Sequence, residues 1–416
     1  MQFGLFYEMQ LPRPWEPGDE HRLYRECLEQ VVLADQLGFD YVWEVEHHFL
    51  EEYSHSSAPE VFLAAAAART QRIRLGHGIV QLPLEFNHTA RVAERAATLD
   101  LLSDGRVDLG TGEASSVAEL GGFGVEWDTK RDQWADHIEA VARMMVEEPF
   151  TGWDGKWLQM PPRNVVPKPL QKPHPPLWVA CSRRETILLA AQCGIGALSF
   201  QFIEPERAAS WVAEYESILA SADCVPAGFA VNPQIAIVLP LMCHPDERTA
   251  VDRGLDSAHF FGYGLLHYYA FGTHRPARTD VWQEFEANRE EVGFRRAEAG
   301  RTGEPLDATF GDLGVLGLRG AIGTPDQVRS LLRRYEEAGI DQVIFMAQMG
   351  RIPHTQICES LELMGAEVIG EFAERHPERW ERKCERLAPA IEAALARKAP
   401  PRATDEGYDF KAAGKA

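Results

Sequence analysis

Eight short runs rich in β-branched and aromatic residues punctuate this 416-residue chain, and longer stretches of helical period separate them. The runs fall at 2–6, 41–45, 73–80, 107–110, 177–180, 196–198, 235–242 and 343–346. Strands alternating with helices predict βα units in a parallel sheet, and eight strands is the number that closes a barrel. The expected fold is therefore α/β, a (β/α)8 TIM barrel with insertions. Helix ends are legible in places. A helix over 21–37 should stop at Gly38, and Pro59 sits in the first turn of the next. Thr324-Pro325-Asp326-Gln327 combines an N-cap, a first-turn proline and a capping-box glutamine, with Gly339 closing that helix.

Two regions break the rhythm. Seven prolines in 150–176 forbid regular helix and predict an extended insertion. The stretch 258–318, opening His259-Phe260-Phe261-Gly262-Tyr263, is too long for an ordinary connection and reads as a lid. We expect one barrel domain over 1–380 carrying both insertions, then a charged helical tail over 381–416, frayed after Pro400.

A formal charge of −21 argues against nucleic acid, which needs clustered Lys and Arg, and requires that any anionic cofactor be held by local donors. The seven cysteines are scattered, with no Cys-x-x-Cys pair, which suits free thiols in a reducing cytosol. The sequence has neither a signal-peptide pattern nor an apolar run of about 18 residues, so a cytoplasmic protein without a membrane span is expected.

The chemistry-bearing candidates cluster where strands end. Glu46-His47-His48-Phe49 follows the second strand, and at most one of the paired histidines can face the barrel mouth. Glu46, His47, His48, His77 and His88 lack the spacing of a ligand set, so no metal is expected. Gly76 and Gly78 inside the third strand fit either a bulge or the close approach of a flat ligand. Gly110-Thr111-Gly112 after the fourth strand could bring backbone N–H groups to an anion, but Ser115 stands where a dinucleotide fingerprint needs its third glycine. Arg131, in the first turn of the next helix, is either a phosphate ligand or a solvated arginine. Ala180-Cys181-Ser182-Arg183-Arg184 opens a helix with a hydroxyl and two guanidinium groups, the best phosphate-site candidate, with Cys181 read as a packed thiol.

In order and content these segments resemble the bacterial luciferase-like monooxygenases, from Met1 to about Glu374. Glu46-His47-His48-Phe49, the strand 76–83 and Leu99-Asp100-Leu101-Leu102-Ser103-Asp104-Gly105-Arg106 carry the likeness as an ordered set. The resemblance implies that His47 is the active-site histidine beside a flavin's reactive edge. It also implies a non-proline cis peptide at Gly78-Ile79, phosphate contacts from Arg131 and Ser182, and a ring pocket lined by Ser199 and Phe200. The pattern departs at Gly112 and Glu113, where luciferase itself carries a reactive cysteine and then an arginine.

The activity implied is that of a flavin-dependent monooxygenase. Reduced FMN, supplied by an NAD(P)H-dependent flavin reductase, would react with dioxygen at ring carbon C4a, and the resulting peroxide would oxygenate a small hydrophobic substrate. A homodimer is the family-level expectation. The alternatives are a deazaflavin-dependent oxidoreductase working by hydride transfer on the same scaffold and, from another class, a non-catalytic flavin-binding protein.

Overall fold

The computed structural model describes residues 1–200, 203–294, 319–403 and 407–410. Eight parallel strands form a closed barrel: β1 (Gln2–Tyr7), β2 (Tyr41–Glu44), β3 (Arg74–Gln81), β4 (Val107–Gly112), β5 (Leu177–Cys181), β6 (Gly196–Ser199), β7 (Ile235–Cys243) and β8 (Gln342–Met346). Each pairs with the next in chain order, and β8 pairs back onto β1 with Phe3 opposite Val343, so no edge is left between them. A short strand, Ala321–Gly323, lies parallel to the end of β7.

The strands are mostly apolar because both of their faces are largely buried, and the few polar side chains within them, such as Asp108 and Gln342, are hydrogen-bonded. Their two-residue period divides the side chains between layers. Phe3, Leu5, Val42, Leu75, Leu109 and Phe345 pack outward into the barrel–helix layer. Phe6, Trp43, Trp178, Leu198, Val238 and Ile344 fill the barrel interior. Two indoles dominate that interior, with centroids 5.3 Å apart at 80°. Trp43 Nε1 donates to Gln342 at 2.7 Å and Trp178 Nε1 to Asp108 at 2.9 Å, so neither buried N–H is left unpaired. Gly76 lies directly under the Trp43 indole, where a Cβ would collide with the ring.

The helices relevant to the site are α1 (Asp19–Leu37), α2 (Pro59–Ala67), α3 (Thr89–Leu102), α4 (Val117–Phe123), α5 (Lys130–Val146), α6 (Arg184–Gln192), α7 (Pro205–Leu219), α8 (Glu247–Leu266), α9 (Val281–Asn288), α10 (Pro325–Glu337), α11 (His354–Met364) and α12 (Gly370–Arg397). Gly38 takes the left-handed conformation at φ 93°, and the Thr324–Gln327 capping box is present. Arg106, from the 99–106 motif, donates to the carbonyls of Ala67, Thr70, Ile73 and Ser103, tying the ends of α2 and α3 to β3.

Residues 150–176 contain no helix. A small antiparallel pair, Trp153–Asp154 with Gln159–Met160, is pinned to α5 by Asp136, which accepts from Trp153 Nε1 at 2.8 Å and from Trp157 N at 2.9 Å. The stretch expected to be a lid from 258 begins differently. Residues 258–266 are the second half of α8, which continues as a π-helical turn, His267–Phe271. Phe260 and Tyr263 pack against Val281, Trp282 and Phe285 of α9 while Phe261 faces the barrel mouth, so the helix buries more than one face. The remainder of that stretch, 295–318, lies outside the described residues.

The expected tail boundary at 381 falls inside α12, which crosses the N-terminal ends of the strands, Lys383 Nζ meeting Asp341 Oδ2 at 2.7 Å. Described residues beyond Pro400 contact the C-cap of α5 and the insertion that follows it. Arg402 N donates to Glu147 at 3.0 Å and Arg163 donates to Tyr408 at 2.9 Å. No helix among the described residues is long and apolar enough to cross a membrane.

Candidate active site at the barrel mouth

The C-terminal ends of the strands open into one pocket with an apolar base: Phe6 from β1, Val45 after β2, Ile79 from β3, Val179 from β5 and Val238 from β7. Phe261 and Leu265 of α8, with Tyr269 of the π turn, close over it. Between cover and base the polar groups are few and specifically placed.

His47 is the centre of these. The chain after β2 bends so that His47 N donates to Ser56 O at 2.8 Å, which directs the imidazole into the pocket. Its Nδ1 meets Glu119 Oε1 of α4 at 2.9 Å, and its Nε2 lies 3.6 Å from Glu8 Oε2. Burial alone would depress the imidazolium, but Glu119 and Glu8 overcome it and raise the pKa to about 9. Glu8 is pushed up to about 7 by burial, against the opposing pull of His47. His48 turns the other way, its N–H donating to Glu119 at 3.1 Å and its ring lying among Phe49, Phe86 and Phe123. One histidine of the pair thus faces the mouth, and the other packs.

Glu46 fixes this loop rather than lining up ligands. It accepts from Gln81 N at 2.7 Å, Asn87 Nδ2 at 2.8 Å and His48 Nε2 at 3.2 Å. His88 caps α3, accepting from Ala90 N, and His77 is buried in β3. Among the described residues no three His, Cys, Asp or Glu side chains are grouped to hold a metal ion.

Of the residues singled out in the sequence, His47, Gly78, Ile79, Arg131, Ala180, Ser182 and Phe200 line the pocket. Gly110, Thr111, Cys181, Arg184 and Ser199 do not. Gly110 sits beneath the bulged strand, its missing Cβ making room for the His77 carbonyl. Thr111 spends its hydroxyl on Trp178 O at 2.9 Å and accepts from Trp134 Nε1 at 3.0 Å. Cys181 is buried, its thiol pushed up by burial and directed to Val179 O at 3.4 Å. Arg184 turns to Glu214 of α7. Ser199 is buried at the end of β6, below the pocket wall formed by Phe200. The Gly78–Ile79 peptide is trans, since every cis bond among the described residues precedes a proline. The irregularity there is a register shift between His77 and Val80 against β4, the bulge that the glycines also allowed.

Glu8, Glu119, Gln81 and Tyr53 were not singled out from the sequence, whereas Tyr269 falls in the stretch read as a lid. Glu8 had a readable signal, a carboxylate directly after an apolar strand. Glu119 had none, because its partner lies 72 positions away.

The pocket's chemistry fits a flat, polar-edged heterocycle such as a flavin ring. Gln81 Oε1 is a buried acceptor without a hydrogen-bond partner among the described residues, set in largely apolar walls. At the opposite end Arg131, Ser182 and Thr186 line the opening, as a phosphate would require. There Glu113 already engages Arg131 Nε at 2.7 Å and Lys130 Nζ at 3.4 Å, so its carboxylate offsets much of the positive charge.

These features make the barrel mouth the candidate active site. The family model described as luciferase-like monooxygenase matches residues 1–342, and the chain belongs to that family. The flavin-dependent trigonelline monooxygenase, oxygenase component, of Acinetobacter baylyi is 31% identical over 205 residues, covering 47% of this chain and 52% of that protein. An F420-dependent glucose-6-phosphate dehydrogenase of Beutenbergia cavernae is 33% identical over 180 residues, covering 41% of this chain and 51% of that one. The chain spans about half the length of the curated relatives it matches. A solved monooxygenase from Streptomyces bottropensis superposes with a TM-score of 0.69 at 25% identity, covering 89% of this chain and all of that one. The family thus includes flavin-dependent monooxygenases and F420-dependent dehydrogenases.

Proposed function

We propose that this chain is the oxygenating component of a flavin-dependent monooxygenase, taking reduced FMN from a separate NAD(P)H-dependent reductase and using dioxygen to oxygenate a small hydrophobic substrate. The observation that carries the reading is the His47 ring held between Glu119 and Glu8 on the wall of an apolar pocket. Reduced FMN, when bound, would supply the two electrons that activate dioxygen. The protein supplies position, dryness and a proton. His47, with a pKa of about 9, is an imidazolium at neutral pH and presents a donor at Nε2. Glu119 holds the ring's other nitrogen and fixes its direction. Phe6, Val45, Ile79, Val238, Phe261 and Leu265 keep water from the reacting centre. Gly78, Ile79, Ala180 and Phe200 would border the ring, with Arg131 and Ser182 toward its phosphate. The relative named as an oxygenase component supports a two-protein arrangement with a reductase.

A second reading, hydride transfer from a reduced deazaflavin without oxygen, is favoured by the F420-dependent relative of similar identity. The two separate in one experiment. The protein is loaded anaerobically with reduced FMN or reduced coenzyme F420, and oxygen is admitted. The monooxygenase reading expects tight reduced-FMN binding and reoxidation kinetics distinct from free flavin, changed in His47→Ala. Binding of F420 alone, with FMN reoxidising as it does free in solution, would overturn it.

A further inference from the structure

At the end of the pocket away from Arg131, Glu8 stands among aromatic rings. Tyr53 donates to Glu8 Oε1 at 3.2 Å, and the Tyr53 ring lies 5.5 Å from Phe261, 6.3 Å from Tyr269 and 5.9 Å from His47. Glu8 is 4% exposed, and its second oxygen, Oε2, has no hydrogen-bond partner among the described residues. Its nearest cation, His47 Nε2, is 3.6 Å away, an ion-pair distance beyond hydrogen-bond contact. A buried carboxylate oxygen without a hydrogen-bond donor is costly; the His47 charge offsets part of that cost, and Tyr53 donates to the other oxygen only.

We infer that this end of the pocket is the substrate chamber, and that Glu8 Oε2 is the acceptor for a neutral hydroxyl on a ring-bearing, otherwise apolar substrate such as a phenol or alicyclic alcohol. The assignment rests on the monooxygenase reading, in which the chamber is the space beside the bound flavin.

Three features select the class. The surrounding rings and Leu265 suit a flat or cyclic hydrocarbon body. The His47 imidazolium already faces the same oxygen, so an ammonium group there would meet a like charge. Burial that holds Glu8 near pH 7 makes it a group that can both accept from and donate to a hydroxyl, whereas a cation would need the full carboxylate. A substrate carboxylate would be repelled by Glu8 and Glu119 together.

The test measures binding of 2-naphthol, naphthalene and naphthylmethylamine to the FMN-loaded protein by equilibrium dialysis, in the wild type, Glu8→Gln and Glu8→Leu. One such hydrogen bond corresponds to about tenfold in affinity. We expect 2-naphthol to bind the wild type about tenfold more tightly than naphthalene and more tightly than the amine. That ratio should collapse in Glu8→Leu and largely persist in Glu8→Gln, which keeps an acceptor oxygen of nearly the same shape. An unchanged ratio in Glu8→Leu, or preference for the amine, would overturn the inference. FMN binding is titrated separately in each protein. Intact FMN binding without a hydroxyl preference removes the substrate assignment alone, whereas no FMN binding in the wild type removes the monooxygenase reading.

Discussion

Glu119 of α4 reaches Nδ1 of His47 at 2.9 Å and accepts from the His48 backbone N–H at 3.1 Å with the same oxygen. One carboxylate therefore both orients the pocket histidine and holds the loop that carries it. Removing its charge should act first on the proton. In Glu119→Gln we expect the His47 pKa to fall from about 9 by roughly one pH unit or more, because burial then acts with less opposition. NMR titration of the imidazole resonances checks this, and an unmoved value would assign the elevation to Glu8 alone.

The same pair makes stability depend on pH. His47 has a folded value of about 9 against an ordinary 6.5, so its contribution is complete below 6.5 and is lost as pH rises through 9. Glu8, at about 7 against 4.5, also binds its proton more tightly when folded, so its term too declines, between 4.5 and 7. Thermal midpoints followed from pH 6.5 to 9 should show the gap between wild type and His47→Gln shrinking. A gap that widens would contradict the sign.

At the other end of the pocket Glu113 competes for Arg131 at 2.7 Å. Glu113→Gln should release the guanidinium and remove a like charge from an incoming phosphate, tightening FMN binding about tenfold, roughly 1.4 kcal/mol. The expected gain should be absent for riboflavin, which lacks the phosphate. Flavin fluorescence titrations of the two ligands decide it.

Arg106 satisfies carbonyls at the ends of α2 and α3. Arg106→Ala leaves those acceptors without their donor, and we expect a loss of roughly 2–4 kcal/mol in chemical denaturation. The pocket lies at the opposite end of the strands, so FMN affinity under native conditions should change little.

The barrel was legible because several of its strands are buried on both faces and read as apolar runs, such as 235–242 for β7. Gly38 and Thr324 were legible because a left-handed turn and a capping box are local chemistry. That 258–266 is the second half of a helix, α8, was not legible. Phe260, Phe261 and Tyr263 all point into packed surroundings, which erases the one-sided pattern by which a helix is recognised. At the site, strand-end position marked His47, but its carboxylate partners come from distant segments whose meeting only the closed barrel determines. Thr111 and Ser199 looked like ligands by neighbourhood, yet alternation along their strands and tight packing turn them away from the pocket, and Cys181 packs as a buried thiol.

The loop that presents His47 also holds the neighbouring cover. Glu51 accepts from Ala277 N at 2.7 Å and lies 3.2 Å from His274, which is 3.3 Å from His267 of the π turn. Glu52 accepts from Val281 N at 2.6 Å, at the first turn of α9. Cover and histidine loop are therefore tied together by Glu51 and Glu52. Anyone grafting the 258–288 segment onto a related barrel to change its substrate would have to carry the 46–56 loop with it, or lose the alignment of the acid along with the old specificity.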